Sequence, residues 1–497
     1  MENSTSSYRQ IFKATSLFGG VQVFQIFISI IRTKFVAILL GTAGVGIMGL
    51  FNAPLQLILS ITGLGITFSA VREISEAYEG GDNNRLKQKV TTLRRWSWVA
   101  GFFGMVVTIL FAPLLSKWTF GDKDYTWAFI WLSLTLLFQT ISNSQRTVIQ
   151  ATRRLNDLAK ASVYGSIAGL FTAIPLYYFF ELKGIVPSLI MTSLISFLLT
   201  WHFSRRMRIK SVYMSPLEII RSGKNMIMLG LIITMTGVVG FLTGYILNAF
   251  ISRSGGVDQV GLYNAGWSII GQSTGLVFAA MTTDYYPRLS AINRDEIKTT
   301  LLVNQQAEMV LLILAPIITS LILLMPIIIR LLYTPAFLPV VTYANWLLVG
   351  VLFKGLVWPI GFIFPAKGDF KSFGIIEIVS MGFNIIINIT GYYLFGLVGL
   401  GITFVLGYIL GYFITRYFSK KMFGFIYTRS TVKTFLINLF FVIMVFAISY
   451  SNMDKARYAF GGVVLILSIW YSFTELDKRL QLKPILNEQF KKLLRKQ

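Results

Sequence analysis

The sequence predicts an all-α polytopic membrane protein: about 14 transmembrane helices, arranged as two parallel six-helix repeats around a central cleft with an accessory C-terminal helix pair. Three observations carry that prediction. The 497-residue chain is 55% hydrophobic with a mean hydropathy of +0.66. Charged residues make up 13%, about half the usual quarter of a soluble domain. Apolar runs of bilayer-crossing length recur from end to end, at roughly 14–40, 46–70, 96–115, 126–146, 158–180, 185–203, 225–250, 261–282, 306–332, 338–364, 373–395, 397–415, 434–450 and 458–473.

Composition removes several function classes. Cys is absent and His202 is the single His, so disulfides, thiolate chemistry and His/Cys metal clusters are excluded and no cofactor is expected. Ser222-Gly223-Lys224 lacks the upstream glycine of a phosphate-binding loop. The excess of 45 Lys+Arg over 21 Asp+Glu is explained by membrane topology, because the charges sit between apolar runs; nucleic acid is not an expected partner.

With Arg9 and Lys13 placed in the cytosol, 35 basic residues fall in the loops and termini on that side and 7 on the other. That asymmetry puts both termini in the cytosol. No small-residue cleavage site follows the first apolar run, which reads as a span. Outer loops are short. Segment 474–497 is basic and amphipathic and is expected to lie on the inner leaflet against membrane lipid.

Self-comparison reveals a repeat. Gly49-Leu-Phe-Asn-Ala53 recurs as Gly261-Leu-Tyr-Asn-Ala265, and Thr62-Gly-Leu64 as Thr274-Gly-Leu276, both at an offset of 212. Tyr177-Tyr178, Gly184 and Phe203-Ser204 recur as Tyr392-Tyr393, Gly399 and Phe418-Ser419 at an offset of 215. Six windows per unit is an even number, so the copies run parallel. The expected organisation is an N-terminal six-helix portion over 1–210, a cytosolic linker over 211–224, a C-terminal six-helix portion over 225–421, accessory helices over 434–473 and the tail over 474–497.

Polar stripes cross the apolar windows at helical spacing. Window one carries Gln22, Gln25, Ser29 and Arg32; window two Asn52, Gln56, Ser60, Gly63 and Thr67; window eight Asn264, Ser268, Gln272 and Gly275. Window eleven carries Glu377, Ser380, Asn384 and Asn388, and window four Gln139, Asn143, Arg146 and Gln150. Lipid satisfies none of these groups, so each stripe faces protein or a hydrated cavity. Interhelical hydrogen bonding is the structural alternative, worth roughly 0.6 kcal/mol per bond. Charges inside spans point to function. Lys354 is central in window ten. Arg32 and Lys34 lie nearer the outer end of window one, where snorkelling to the interface is the structural alternative. Arg32 shares its face with the glutamines and is the better cavity candidate, Lys34 points elsewhere, and Glu377 has Lys371 or Lys354 as candidate partners. The candidate substrate-binding residues are thus Gln22, Gln25, Arg32, Asn52, Gln56, Asn264, Gln272, Lys354, Glu377, Asn384 and Asn388, with a net positive sign that suits an anionic ligand.

Arg32-Thr-Lys-Phe-Val-Ala-Ile-Leu-Leu-Gly41, Tyr286-Pro-Arg-Leu-Ser290 and Leu331-Leu-Tyr-Thr-Pro-Ala-Phe-Leu-Pro339, in this order and spacing, resemble segments of the multidrug/oligosaccharidyl-lipid/polysaccharide (MOP) flippase superfamily, its O-antigen translocase branch above all. The resemblance covers essentially the whole chain. It implies a flippase, not an enzyme, moving undecaprenyl-diphosphate-linked oligosaccharide from the cytoplasmic to the periplasmic leaflet by alternating access, with a polysaccharide polymerase or assembly machinery as a candidate partner. It also implies a basic cavity role for Arg32. Trp267 stands where lipid II flippases have an additional cavity Arg, which argues against lipid II as cargo. Three other readings compete. An ion-coupled exporter of the same superfamily would need carboxylates central in the first six windows, where Glu73 and Glu181 sit only at ends. A membrane polymerase or ligase would need larger outer loops or an acidic pair. An assembly scaffold without transport would have to maintain an unused polar cleft.

Overall fold

The structure is a computed structural model that describes residues 2–451 and 454–480. Segment 481–497, which holds most of the basic tail, lies outside the described residues, as do the side chains of Arg9, Lys13 and Lys371. The chain forms α1 (Glu2–Thr62), α2 (Ile66–Glu79), α3 (Asn83–Phe120), α4 (Thr126–Ala151), α5 (Leu155–Phe180), α6 (Ile185–Arg205) and α7 (Pro216–Gly255). Then follow α8 (Val257–Ala291), α9 (Glu296–Leu332), α10 (Val340–Gly361), α11 (Ile363–Ala366), α12 (Phe370–Phe423), α13 (Arg429–Ser449) and α14 (Asp454–Leu480).

The fourteen apolar windows fall mostly in helix, the second being broken by a turn at 63–65, and the described residues contain no strand. Eight helical stretches among the described residues are long and apolar enough to cross a bilayer. Three of them, Gly20–Thr62, Leu155–Arg205 and Ser372–Phe423, each hold two windows. The windows on α4, α7 and α8 fall outside the eight. On α4 and α8 the reason is visible in the residues: Gln139, Gln145 and Arg146 on one, Asn264, Ser268 and Gln272 on the other, dilute the apolar character.

Paired windows are separated by sharp reversals of backbone sign. Within α1, Gly41 has φ 64° and ψ −161°; Gly256, between α7 and α8, has φ 84° and ψ 172°. Glu181 ends α5 at φ 51°, ψ −131°, and Gly396 bends α12 at φ 57°, ψ −140°. Arg153 and Gly368 also share positive φ. Each of these three pairs is 215 residues apart, so the repeat is written in the backbone as well as in side chains. The offset corrects one detail of the sequence comparison. Asn52 and Asn264 match at 212, whereas the turns before them match at 215. Three residues are nearly one helical turn, so the two stripes keep their face but sit about 4.5 Å apart in register.

A close contact obeys the same arithmetic. A Cβ on Gly46 would lie 2.1 Å from the carbonyl oxygen of Val257, and one on Gly261 would lie 2.0 Å from that of Thr42. Gly46 corresponds to Gly261, and Thr42 to Val257, by the offset of 215. The contact is therefore self-complementary, as at a two-fold interface. The Thr42 hydroxyl also donates to the Asp258 carboxylate.

The chain divides into two compact units: Met1–Gly261 with Leu332–Ala336, and Leu262–Leu331 with Phe337–Gln497. By this criterion α7 groups with the first unit, while the repeat boundary falls before it. In the first unit, Ile47, Phe51, Leu55 and Ile58 form one face of α1 against Leu115, Phe129, Leu132 and Tyr177. In the second, Val310, Leu314, Ile318, Ile322 and Met325 of α9 are fully buried. The accessory helices are tied to α9 through polar groups: the Thr428 N–H donates to Asn304 Oδ1 (2.8 Å), and Arg479 Nε donates to Glu308 Oε2 (2.9 Å).

Two outcomes follow from these backbone constraints. Gly46→Ala and Gly261→Ala each force two helices apart and lower the thermal midpoint of the purified protein, by about 1–3 kcal/mol of stability. Glu181 occupies a conformation that costs a side-chain-bearing residue about 1–3 kcal/mol. Glu181→Gly, the residue used at the equivalent Gly396, is expected to raise the midpoint, and an unchanged or lower value contradicts the strain assignment.

Candidate functional site

In the first unit, α1 carries five of the candidate residues. After the Gly41 bend its apolar face runs through Phe51, Leu55 and Ile58 into the core, which turns Asn52, Gln56 and Ser60 to the flank, where all three are half-buried. Before the bend, Gln22 is exposed, and Gln25 and Arg32 are half-buried. In the second unit, Asn264, Lys354, Glu377, Asn384 and Asn388 are half-buried and Gln272 is exposed.

The hydrogen bonds sort the stripes. Asn52 Nδ2 donates to the Met48 carbonyl (2.8 Å), Ser60 to Leu57 (2.8 Å), Gln272 Nε2 to Ser268 Oγ (2.9 Å) and Asn384 Nδ2 to Ser380 (2.8 Å). All are bonds within one helix, and the side-chain acceptor oxygens of these amides have no hydrogen bond from another helix among the described residues. The α4 stripe behaves differently. Arg146 Nη2 donates to Ser196 Oγ (3.1 Å), and the Ser142 hydroxyl contacts those of Ser196 and Thr200, both at 3.1 Å. Among the described residues, Arg146 alone of that stripe's four members is thus bonded to α6, beside Ser142. Asn388 is intermediate, since it accepts from Thr403 across the α12 bend at 2.8 Å while donating to Asn384.

The charges sort likewise. Lys34 donates to the Tyr333 carbonyl, off the Arg32 face as its register predicts. Arg32 has no carboxylate partner among the described residues. No ion pair joins Glu377 to Lys354 among the described residues, and Lys371, the other expected partner, has its side chain outside them. The Lys354 ammonium instead lies 4.7 Å from the centroid of the Phe278 ring. Phe278 packs on Trp358 at 5.5 Å, and Tyr285 stacks on Trp358 at 5.8 Å. Hydroxyls of Tyr285 and Tyr427 hold the carbonyls of Pro359 (2.8 Å) and Leu356 (2.6 Å), fixing α10 beside the lysine.

This aromatic floor was absent from the sequence reading. Trp358 lies four residues after Lys354 and so on its face, a spacing that marks it, but nothing local marks Phe278 on α8. Trp267, at the position where a further cation was considered, is exposed and meets Phe404 edge-on at 5.5 Å.

The helical fold, with its bends at repeated positions, is similar to that of solved flippase and multidrug-transporter structures. The inward closed conformation of the lipid II flippase MurJ superposes with a TM-score of 0.63 at 14% identity, over 94% of this chain and 99% of that one. An inward-facing multidrug resistance MATE family transporter of the MOP superfamily gives 0.60 at 15% identity, over 80% and 95%. The Vibrio cholerae MATE transporter VcmN in the bent form gives 0.54 at 15% identity, over 89% and 99%. No curated protein matches in sequence. The family model described as "Polysaccharide biosynthesis protein" matches residues 35–342, more than half of the chain. The protein belongs to that family.

Proposed function

We propose that this protein flips an undecaprenyl-diphosphate-linked oligosaccharide, an O-antigen or other surface-polysaccharide repeat unit, from the cytoplasmic to the periplasmic leaflet of a bacterial inner membrane. The observation that carries the reading is the pair of membrane-embedded cations, Arg32 and Lys354, that have no carboxylate partner among the described residues. A charge within a span costs up to roughly 2.5–3.5 kcal/mol on insertion scales, most at the helix centre where Lys354 sits, so two cations of the same sign without a carboxylate partner among the described residues favour an anion that visits them. A diphosphate fits that requirement. The sugar needs a second provision. Each hydroxyl stripped of water costs roughly 2–7 kcal/mol unless it is rebonded. The amide oxygens of Asn52, Gln272 and Asn384, which make no interhelical hydrogen bond among the described residues, are acceptors that can replace that water. The prenyl chain stays in lipid.

Opening to alternate sides then carries the headgroup across. An inside-negative potential favours outward movement of the anion by up to roughly 2.3 kcal/mol per charge per 100 mV. In sealed proteoliposomes, collapsing the potential is expected to slow flipping, and an unchanged rate rejects this drive. In cells, Arg32→Ala and Lys354→Ala are expected to cut export at least about tenfold, the equivalent of 1.4 kcal/mol, with lipid-linked saccharide accumulating inside and membrane levels of the protein unchanged. Normal export by both variants removes the charge assignment.

Glu377 supports a second reading, an ion-coupled exporter of small molecules, because a half-buried membrane carboxylate unpaired with Lys354 suits a coupling proton. Glu377→Gln separates the two. Loss of a proton-dependent drug efflux favours the exporter; intact saccharide export by the same variant favours the flippase.

A further inference from the structure

In the first unit, away from the α1 stripes, α3, α4, α6 and the segment after α6 enclose a cavity of about 450 Å³. Arg94, Arg205, Arg208 and Lys210 line it, and no Asp or Glu does. Two of these cations are held in place. Arg94 Nη1 donates to the Ile209 carbonyl at 3.1 Å, and the Arg205 guanidinium lies 4.5 Å from the Trp201 ring centroid. Exposed Trp98 and Trp201 stand in the same wall, the residue type that anchors at the headgroup level of a bilayer. Two further lining residues are almost wholly buried yet unsatisfied: Gln145 is 7% exposed and Ser204 2%, and neither Gln145 Oε1 nor Ser204 Oγ has a hydrogen-bond partner. Leaving a buried polar atom unpaired costs about 1–3 kcal/mol, and here two of them sit beside four cations.

The donor and acceptor set defines the missing partner. Four cations and a serine hydroxyl call for phosphate oxygens. The amide oxygen of Gln145 calls for a hydroxyl proton. An ammonium headgroup fails on both counts, because it brings a positive charge and neutralises its own phosphate. We infer that this cavity binds the hydroxyl-bearing phosphodiester headgroup of an anionic lipid. Its placement in the inner leaflet rests on the orientation adopted for the flippase reading, but the binding does not. Two lipids share this chemistry: a resident glycerophospholipid such as phosphatidylglycerol, and the sugar-diphosphate end of a lipid-linked saccharide.

The test uses the full chain in phosphatidylcholine nanodiscs doped with phosphatidylglycerol, with retained lipid counted by native mass spectrometry and thermal midpoints measured alongside. Wild type is expected to retain phosphatidylglycerol and to be stabilised by it. Arg205→Ala with Arg208→Ala weakens retention about 30-fold, at about 1 kcal/mol for each basic residue. Ser204→Ala weakens it severalfold with no change of charge, which keeps the test valid if the double variant folds poorly. Lys420→Ala with Lys421→Ala, an equal loss of charge on exposed α12 positions, leaves retention intact. Unaltered retention in the Arg205/Arg208 variant, or equal loss in the Lys420/Lys421 variant, overturns the site. A short-chain polyprenyl diphosphate then separates the sources: displacement of phosphatidylglycerol assigns the cavity to cargo, persistence assigns it to a resident lipid, and retention of neither rejects the proposal. No step of this test depends on transport.

Discussion

Hydrocarbon offers no hydrogen bonds, and that single fact gives each polar atom on these helices its meaning. In a soluble protein a half-buried asparagine is unremarked because water completes it. Here every such group must be completed by its own helix, by a neighbouring helix, or by something that enters. The structure separates the three cases. Asn52, Ser60 and Asn384 spend their donors on their own backbone. Ser142, Arg146 and Ser196 spend theirs on one another. Arg32 and Lys354 find no carboxylate among the described residues, and the transport reading grows from that third class.

The repeat supplies the frame in which those groups are held. Its most durable marks are conformations, not residues: the same bend is built from Gly41 and Gly256, and again from Glu181 and Gly396. A bend of this kind reverses the chain within a few residues, so the following helix runs back antiparallel without a loop long enough to need solvation. Mutual contact of Gly46 and Gly261 with the opposite backbone shows why small residues persist there. Helices meeting at that distance leave no volume for a side chain, and in lipid such close approach is itself a source of association through dispersion and weak hydrogen bonds.

Much of this was legible in the residues. Hydropathy located the helical, membrane-spanning character of the chain, because span length is dictated by bilayer thickness, and the face of Lys34 followed from helical spacing. What escaped were pairings that depend on tertiary packing. Nothing near Lys34 in the chain announces the Tyr333 carbonyl, 299 residues away. Phe278 under Lys354, or Arg94 beside Arg205 and Arg208, are likewise products of packing between helices distant in sequence. The stripe on α4 reads the same as that on α1 by periodicity, yet its Arg146 is bonded to Ser196 of α6. Periodicity reports which face a residue occupies; it does not report whether a neighbour already satisfies it. The repeat register failed by nearly a turn for a related reason, since matching motifs of five residues fix a face but not a height.

On the proposed reading, the setting of Lys354 bears on how a diphosphate could be held without being trapped. A carboxylate partner would stabilise the empty state but cancel the charge, and the anion would have to displace it. No partner at all would leave the cation fully desolvated whenever the path is empty. The Phe278 ring at 4.7 Å lies between these extremes. Cation–π attraction is worth about 0.5–2 kcal/mol, enough to offset part of the burial cost, and it leaves the unit charge available to phosphate oxygens on the opposite side of the ammonium. Because lysine is a point charge with rotatable donors, it also imposes no bidentate geometry on the phosphate. A residue that attracts the headgroup in every orientation and grips it in none suits a site through which cargo must pass.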